Sequence, residues 1–550
     1  MKRGFPAAYL LPVLALTAVV WLLPLLYAIG LACSDAAPGA PGRWLGAANF
    51  LRALNDARFG HALLIGLLYA GGAVVLNVGV GLSLALALRR TARARAIAQT
   101  LLLLPWVLAE LAVALIWRGF LAEDGGWVNL TIAKLGGAAL PWRTDPFLAM
   151  LALWIATLWQ GLAFSTLLQM AGIGALPEHH LHAAKLDGAS RWLIFRAIVW
   201  PHQRRVIAVN GLLVFLFSLT SFSALRPDRR RAAVRHGSPR ALRLPDGLRR
   251  AFRTGLRRDA GDDHPARLRG VDRRAAAPAP EDGMNARRLA AWLSAALVAA
   301  YALLPLLWLA RLAVTPENEI HRWPPTLLPA TFTLGHFADI LGDALFWRQM
   351  GNSLFVCLLA TALALALGAL GAYGLARHRF RWRDGLLIAF LAIHLAPGVA
   401  SMASVYRLAE QLHALNSLWL VALLKSGGAT LAVWILIATF RQVPARLEQA
   451  AQLDGFTRLQ ALRRVTLPLA GPGLLTAGLL LFIQSWNTFF LPFLLLEDPQ
   501  KMTLTVGLYR YFSEHGFEQG HIAAFMTLSI LPVVALFLLF RQRLWRDLEI

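Results

Sequence analysis

Residues 177–201 and 444–468 are two copies of one polar stretch, PEHHLHAAKLDGASRWLIFRAIVWP and PARLEQAAQLDGFTRLQALRRVTLP, set 267 positions apart. They align without a gap and share nine of 25 residues: Pro177/Pro444, Ala183/Ala450, Ala184/Ala451, Leu186/Leu453, Asp187/Asp454, Gly188/Gly455, Arg191/Arg458, Arg196/Arg463 and Pro201/Pro468. This is an internal repeat, and it constrains the chain to two related halves. Each copy is a basic island between long apolar runs. The chain is 57% hydrophobic and 15% charged over 550 residues, with a mean hydropathy of +0.55. Such runs read as membrane-spanning helices, and the repeated stretches as loops at a membrane face.

The formal net charge of +24 first suggests nucleic acid. In a membrane protein the same charge gathers in cytoplasmic loops and sets orientation, so no nucleic-acid partner is expected. Lys2 and Arg3 precede an apolar run from Tyr9 to Cys33, read as a retained span with its N-terminus inside rather than a signal peptide. Further spans are expected at His61–Leu88, Ala98–Phe120, Pro146–Leu176 and Val206–Ala224. The loop with Arg89, Arg90, Arg93 and Arg95 falls inside, and so, by counting, does the first repeat copy. A second half starts at Met284, with spans at Leu289–Ala313, Ser353–Leu375, Gly385–Val405, Ser417–Phe440, Leu474–Leu496 and Ile522–Phe540. Its arginine-rich loops put the second copy and the C-terminus inside as well. Cys33 and Cys357 sit in or beside different apolar runs and support neither a disulfide framework nor a metal site.

The first half is owed a sixth span after Ala224, and none comes. Between Arg226 and Arg274 there are 16 arginines, no lysine, no glutamate and one aromatic, Phe252. A disordered basic linker, or an arm that grips nucleic acid or lipid, is the conventional reading. The wrong reading frame of a GC-rich gene explains more, since it yields Arg, Ala, Pro and Gly with almost no Lys; the other frames should then encode about 20 apolar residues. The expected division is a first membrane domain over 1–224, an aberrant segment over 225–283 and a second membrane domain over 284–550.

Each repeat copy reads as two short helices joined by a bend. Pro177 or Pro444 opens the first helix, where a missing N–H costs little. The Ala pair gives a small-residue face, and Asp-Gly ends the helix with Gly in the left-handed conformation. The second helix carries bulky residues at every third position, Trp192, Phe195 and Ile198 or Leu459, Leu462 and Val465, and Pro201 or Pro468 is expected to stop it. A bent amphipathic element of this kind suits docking in a partner's groove.

Ala-Ala, two residues, Asp-Gly and a downstream Pro resemble the EAA loop of bacterial ABC importer permeases, which receives the ATPase subunit. The motif's leading Glu is His182 in one copy and Gln449 in the other, with Glu448 next door; Ala189 fits the position after Asp-Gly and Phe456 does not. Other stretches resemble the carbohydrate-uptake permeases of the maltose and glycerol-3-phosphate type: 45–50, Leu104-Pro105-Trp106 and Trp117 in the first half, and 324–329, 371–377, Leu415-Asn416-Ser417 and Trp486-Asn487 in the second.

The resemblance implies an all-α membrane protein of two type I importer transmembrane domains with about six helices each, in a bacterial cytoplasmic membrane. It implies two copies of an ATPase subunit docked at Ala183, Ala184, Asp187, Gly188, Ala450, Ala451, Asp454 and Gly455, and an extracytoplasmic binding protein that delivers a sugar. ATP and Mg²⁺ would stay on the ATPase subunits, with no cofactor on this chain. Five lysines, none after glycine, leave no phosphate-binding G-x-x-x-x-G-K-[ST] loop, so the chain is expected to catalyse nothing. Polar residues within spans are candidates for a solute pathway, namely Glu110, Gln160, Asn210, Gln484 and Asn487. Helix-to-helix hydrogen bonding explains each of them equally well. A secondary transporter is the rival class. It would need intramembrane acids, of which only Glu110 qualifies, and it gives no reason for a doubled docking loop.

Overall fold

The computed structural model describes residues 7–35, 42–89, 91–123, 125–220, 282–320, 322, 328–394, 398–514 and 518–548. The aberrant segment 225–283 falls almost wholly outside these residues, and the missing sixth span with it. The all-α expectation holds: the described residues form helices and one isolated bridge, Ser34 to Trp44. Among the described residues, seven helices are long and apolar enough to cross a membrane, or up to nine if each of two bent pairs is one span.

In the first half the main helices are α1 (Ala8–Ala32), α2 (Ala57–Leu88), α3 (Ala92–Trp106), α4 (Glu110–Phe120), α5 (Pro146–Gly174), α6 (Glu178–Leu186) and α7 (Trp200–Thr220). In the second they are α8 (Asp282–Ala313), α9 (Ala344–Arg377), α10 (Arg383–His394), α11 (Met402–Gln411), α12 (Leu418–Gln442), α13 (Ala445–Leu453), α14 (Gly471–Asn487), α15 (Phe490–Leu495) and α16 (Gln519–Leu548).

The halves repeat each other in detail. Asp56 caps α2 by accepting from Arg58 N, and Asp343 caps α9 by accepting from Leu345 N. With α2 and α9 aligned on these caps, Gly81 matches Gly368, and each lies against the helix three elements on. A Cβ on Gly81 would stand 3.0 Å from Ser165 Cβ, and one on Gly368 2.5 Å from Ala432 Cβ. Ser165 and Ala432 are 267 positions apart, the spacing of the two repeat copies. Thus α2–α5 and α9–α12 cross at the same glycine.

The first helices are exchanged. Leu10, Val13, Leu16 and Val20 of α1 are buried in one core with Ala372, Tyr373 and Leu375 of α9 and with Val433 and Leu436 of α12. Tyr9 meets Tyr373 edge-on at 5.2 Å. Conversely, Ala291, Ala295 and Val298 of α8 pack with Leu84 and Leu88 of α2 and with Ala94 and Ala98 of α3. Trp159 Nε1 donates to Tyr301 O at 2.8 Å, and Tyr301 Oη returns a bond to Ile155 O at 2.6 Å. Each half is therefore built partly from helix that the other half supplies in sequence.

Three expected spans are not single rods. The run at Ala98–Phe120 is α3 and α4 at 98° to each other, broken just past Pro105, which lacks the N–H that would continue the ladder. The run at Gly385–Val405 is α10 and α11, separated by a 3-10 turn at Gly398–Ser401. The run at Leu474–Leu496 is α14 followed by the short α15. The Val206–Ala224 span is described as α7 up to Thr220.

Candidate functional site

The two repeat copies fold alike. In the second, Gly455 has φ +90°, its N–H bonds to Gln452 O at 3.2 Å, and Phe456 N bonds back to Ala451 O at 3.0 Å. In the first, Gly188 has φ +74°, its N–H bonds to Lys185 O at 3.1 Å, and Ala189 N bonds to Ala184 O at 2.9 Å. These are the paired 6→1 and 5→2 bonds of a Schellman cap. The pattern Ala-Ala-x-x-Asp-Gly is thus the sequence of one helix ending: the second Ala offers its carbonyl, and Gly takes the left-handed turn. A polar N-cap restarts the chain in both copies. Thr457 and Gln460 form a reciprocal capping box, and Ser190 Oγ accepts from Leu193 N at 3.2 Å.

The second short helix does not stop at proline in the first copy. It passes through a π turn at Phe195–Val199 straight into α7, with Pro201 at its second position. The second copy has the matching π turn at Leu462–Thr466 and bends by 79° only after Leu469. In both, the residue before the proline donates five residues back, Trp200 N to Phe195 O and Leu467 N to Leu462 O. The wider turn accommodates a residue that lacks an N–H, which is why proline does not end the helix here.

Asp187, Gly188, Asp454, Gly455, Ala183 and Ala450 are exposed, while Ala451 is buried and Ala184 half-buried. The first alanine of each pair therefore faces outward, and the second faces the protein. Beside the turn stand two large apolar residues that sequence reasoning left out of the site, Leu186 at 83% and Leu453 at 89% exposed, with Trp192 and Leu459 also exposed. An exposed leucine thus recurs at the same position of both copies.

The loops are fastened by different chemistry. Glu448 is buried: its carboxylate accepts from Tyr373 Oη at 2.9 Å, from Thr466 Oγ1 at 2.6 Å and from Arg377 Nη2 at 2.6 Å. Arg377 also donates to Val443 O at 2.9 Å. The network ties α13 to the end of α9 and to the π turn. The matching residues of the first copy are Leu181, Val199 and Leu86, packed together as an apolar cluster. Nearby, burial holds the His378 imidazole below its ordinary range, and Arg458 of the second repeat copy adds to the shift.

The pathway candidates fall in three places. Gln160 donates to Leu108 O at 3.2 Å, in the break between α3 and α4, and Glu110 opens α4 two residues on. Asn210 is fully buried and accepts from Ser165 Oγ at 3.2 Å, within a polar seam between α2, α5 and α7 that also holds Asn77, Gln169 and Gln203. Buried atoms of Asn77, Gln169, Gln203 and Asn210 have no hydrogen-bond partner among the described residues. The same positions of the second half are Ala364, Leu436, Ala470 and Ala477, all within its apolar core. Gln484 is exposed and Asn487 half-buried on α14. Beside them stands a residue that sequence reasoning missed, Lys425 of α12, whose Nζ donates to Ser485 O at 2.8 Å next to the 3-10 break at Ser426–Gly428. A lysine inside an apolar run is the signal that could have found it.

The family described as "Binding-protein-dependent transport system inner membrane component" matches residues 77–226 and 364–549. The chain is 34% identical over 266 residues to the trehalose transport system permease protein SugB of Mycobacterium tuberculosis, covering 48% of this chain and 96% of that protein. It is 32% identical to the sulfoquinovosyl glycerol transport system permease protein SmoH of Agrobacterium fabrum, covering 46% and 89%. A solved bacterial ABC transporter involved in the import of the acidic polysaccharide alginate aligns over 49% of this chain and 99% of its own, at 23% identity and a TM-score of 0.43.

Proposed function

The chain belongs to the family of binding-protein-dependent transport system inner membrane components, and from that membership we propose that it is the permease of a sugar-importing ATP-binding-cassette transporter, with a separate ATPase subunit seated on each docking loop. The observation that carries the proposal is the pair of loops: the same Schellman turn, the same π turn and the same exposed leucine, in both halves of one chain. Two sockets of one shape suit two copies of one engine. Closure of the ATPases on ATP and Mg²⁺ would move the loops, and through Glu448 and Arg377 the end of the 34-residue α9. The chain itself performs no hydrolysis in this reading.

The matched trehalose and sulfoquinovosyl glycerol permeases support a glycoside as the solute. An extracytoplasmic binding protein delivers it, and both chain ends lie in the cytoplasm with the docking loops. Glu110 and Gln160 at the α3–α4 break, with Gln484, Asn487 and Lys425 around the α12 break, mark where the pathway meets polar groups; Asn210 and its seam lie between helices of the first half. The division into domains over 1–224 and 284–550 around the segment 225–283 belongs to the same proposal. Copurification with the ATPase subunit tests it: Asp454→Lys and Gly455→Pro should lose the subunit, and retained binding in both would sink the docking assignment.

A further inference from the structure

The end of α9 remote from the docking loop carries a cluster with no part in docking. His336 lies on the short helix Gly335–Gly342, and His521 in the first turn of α16. Their Nδ1 atoms face each other at 3.2 Å. His336 Nε2 lies 3.0 Å from Thr315 O, and His521 Nε2 lies 3.0 Å from Asp339 Oδ2. A carbonyl and a carboxylate only accept, so both Nε2 atoms carry the hydrogen. In the neutral rings both Nδ1 atoms are then acceptors 3.2 Å apart, with the rings at 70° and their centroids 4.3 Å apart, a contact that a cation, a metal ion or a proton, would relieve. The carboxylate of Glu317 caps α16, accepting from Gln519 N at 2.7 Å and Gly520 N at 3.0 Å, and lies with the two imidazoles inside a 4.8 Å group. Glu518 Oε2 is 3.6 Å from His521 Nδ1.

We propose that His336, His521 and Glu317 bind a divalent transition-metal ion of the Zn²⁺ type, with Glu518 beside the fourth position. A tetrahedral ion bonded to two imidazoles at about 2.05 Å holds their nitrogens about 3.3 Å apart, close to the spacing present. The outer partners fit as well: ligating histidines characteristically give their other N–H to a carbonyl or a carboxylate, which fixes the tautomer. Gly520 makes room, since a Cβ there would lie 2.4 Å from His336 Nε2. Each ligand comes from a different segment: the turn after α8, the short helix before α9, and the start of α16. The ion staples three otherwise separate segments on the face opposite the docking loops, about 50 Å away along α9.

The test uses the full chain in detergent, stripped with a chelator and titrated with Zn²⁺ by calorimetry. One equivalent should bind and raise the thermal midpoint, and Co²⁺ in its place should give the visible absorption of a tetrahedral site. His521→Gln, at a partly exposed ring, should lose that equivalent while folding, and Asp339→Asn should weaken it roughly ten- to a hundredfold. The same stoichiometry in His521→Gln as in the parent, or no binding by the parent, would overturn the site and leave a proton shared between the rings.

Discussion

Glu448 shows how one residue can be visible in a sequence and still be read for the wrong task. The resemblance directs attention to the position before the Ala pair, His182 or Gln449. The acid that matters to the fold is one residue earlier. Helical spacing explains this: 448 and 451 lie on one face, as do 181 and 184, and that face is the buried one. Gln449 and Ala450 point outward. With its carboxylate bonded by Tyr373, Thr466 and Arg377, Glu448→Ala strands a largely buried guanidinium and should cost about 3 kcal/mol. Thermal unfolding in detergent would measure it. In the first copy, Leu181→Glu should destabilise too, because Leu86, Val199 and Leu176 offer a carboxylate nothing. Unchanged midpoints in both variants would contradict the packing described.

Apolar runs announced nearly every helix, because twenty residues without charge leave the backbone few alternatives in a membrane. What they did not announce is where a helix breaks. The α3–α4 corner, the α10–α11 interruption and the 3-10 turn within α12 all fall inside the expected spans, where only local breakers mark them: Pro105, Pro397-Gly398 and Ser426-Gly427-Gly428. The paired π turns were silent, since a π turn needs no particular residue beyond the proline it accommodates. The Schellman turn of the repeat was the opposite case. Asp-Gly after Ala-Ala is legible because the left-handed turn demands glycine, and its hydrogen bonds follow. The leucine inside that motif deserved as much notice as the glycine. At 89% exposure Leu453 holds nothing in the fold, so Leu453→Asp should leave the unfolding midpoint within about 0.5 kcal/mol of the parent. ATPase copurification should fall at least about tenfold if this leucine anchors the contact. A variant that binds as the parent does would remove it from the interface.

The two halves are one fold in two chemistries. The first has a polar seam beneath its helices and an apolar fastening at its repeat loop; the second has a dry seam and a charged fastening. The repeat made two related halves legible, but no sequence pattern said that α1 and α8 would change places. Periodicity reports that a helix has an apolar face and is silent about whose face it meets. The exchange has a mechanical consequence: neither half can be withdrawn from the other without unpacking a spanning helix. A disulfide reports it directly. A Cβ on Gly371 would stand 3.5 Å from Val13 Cβ, within the range that a disulfide bridges. The variant Val13→Cys/Gly371→Cys, with Cys33 and Cys357 changed to Ser, should therefore cross-link on oxidation. With a specific protease site inserted between residues 225 and 283, cleavage should leave the two pieces joined on a non-reducing gel and separate them on reduction. Pieces that part without reductant would place α1 on its own half and overturn the exchange. A cross-link would also explain how a segment as unlike a membrane protein as 225–283 can lie between the halves while they stay together: the helices hold them, not the linker.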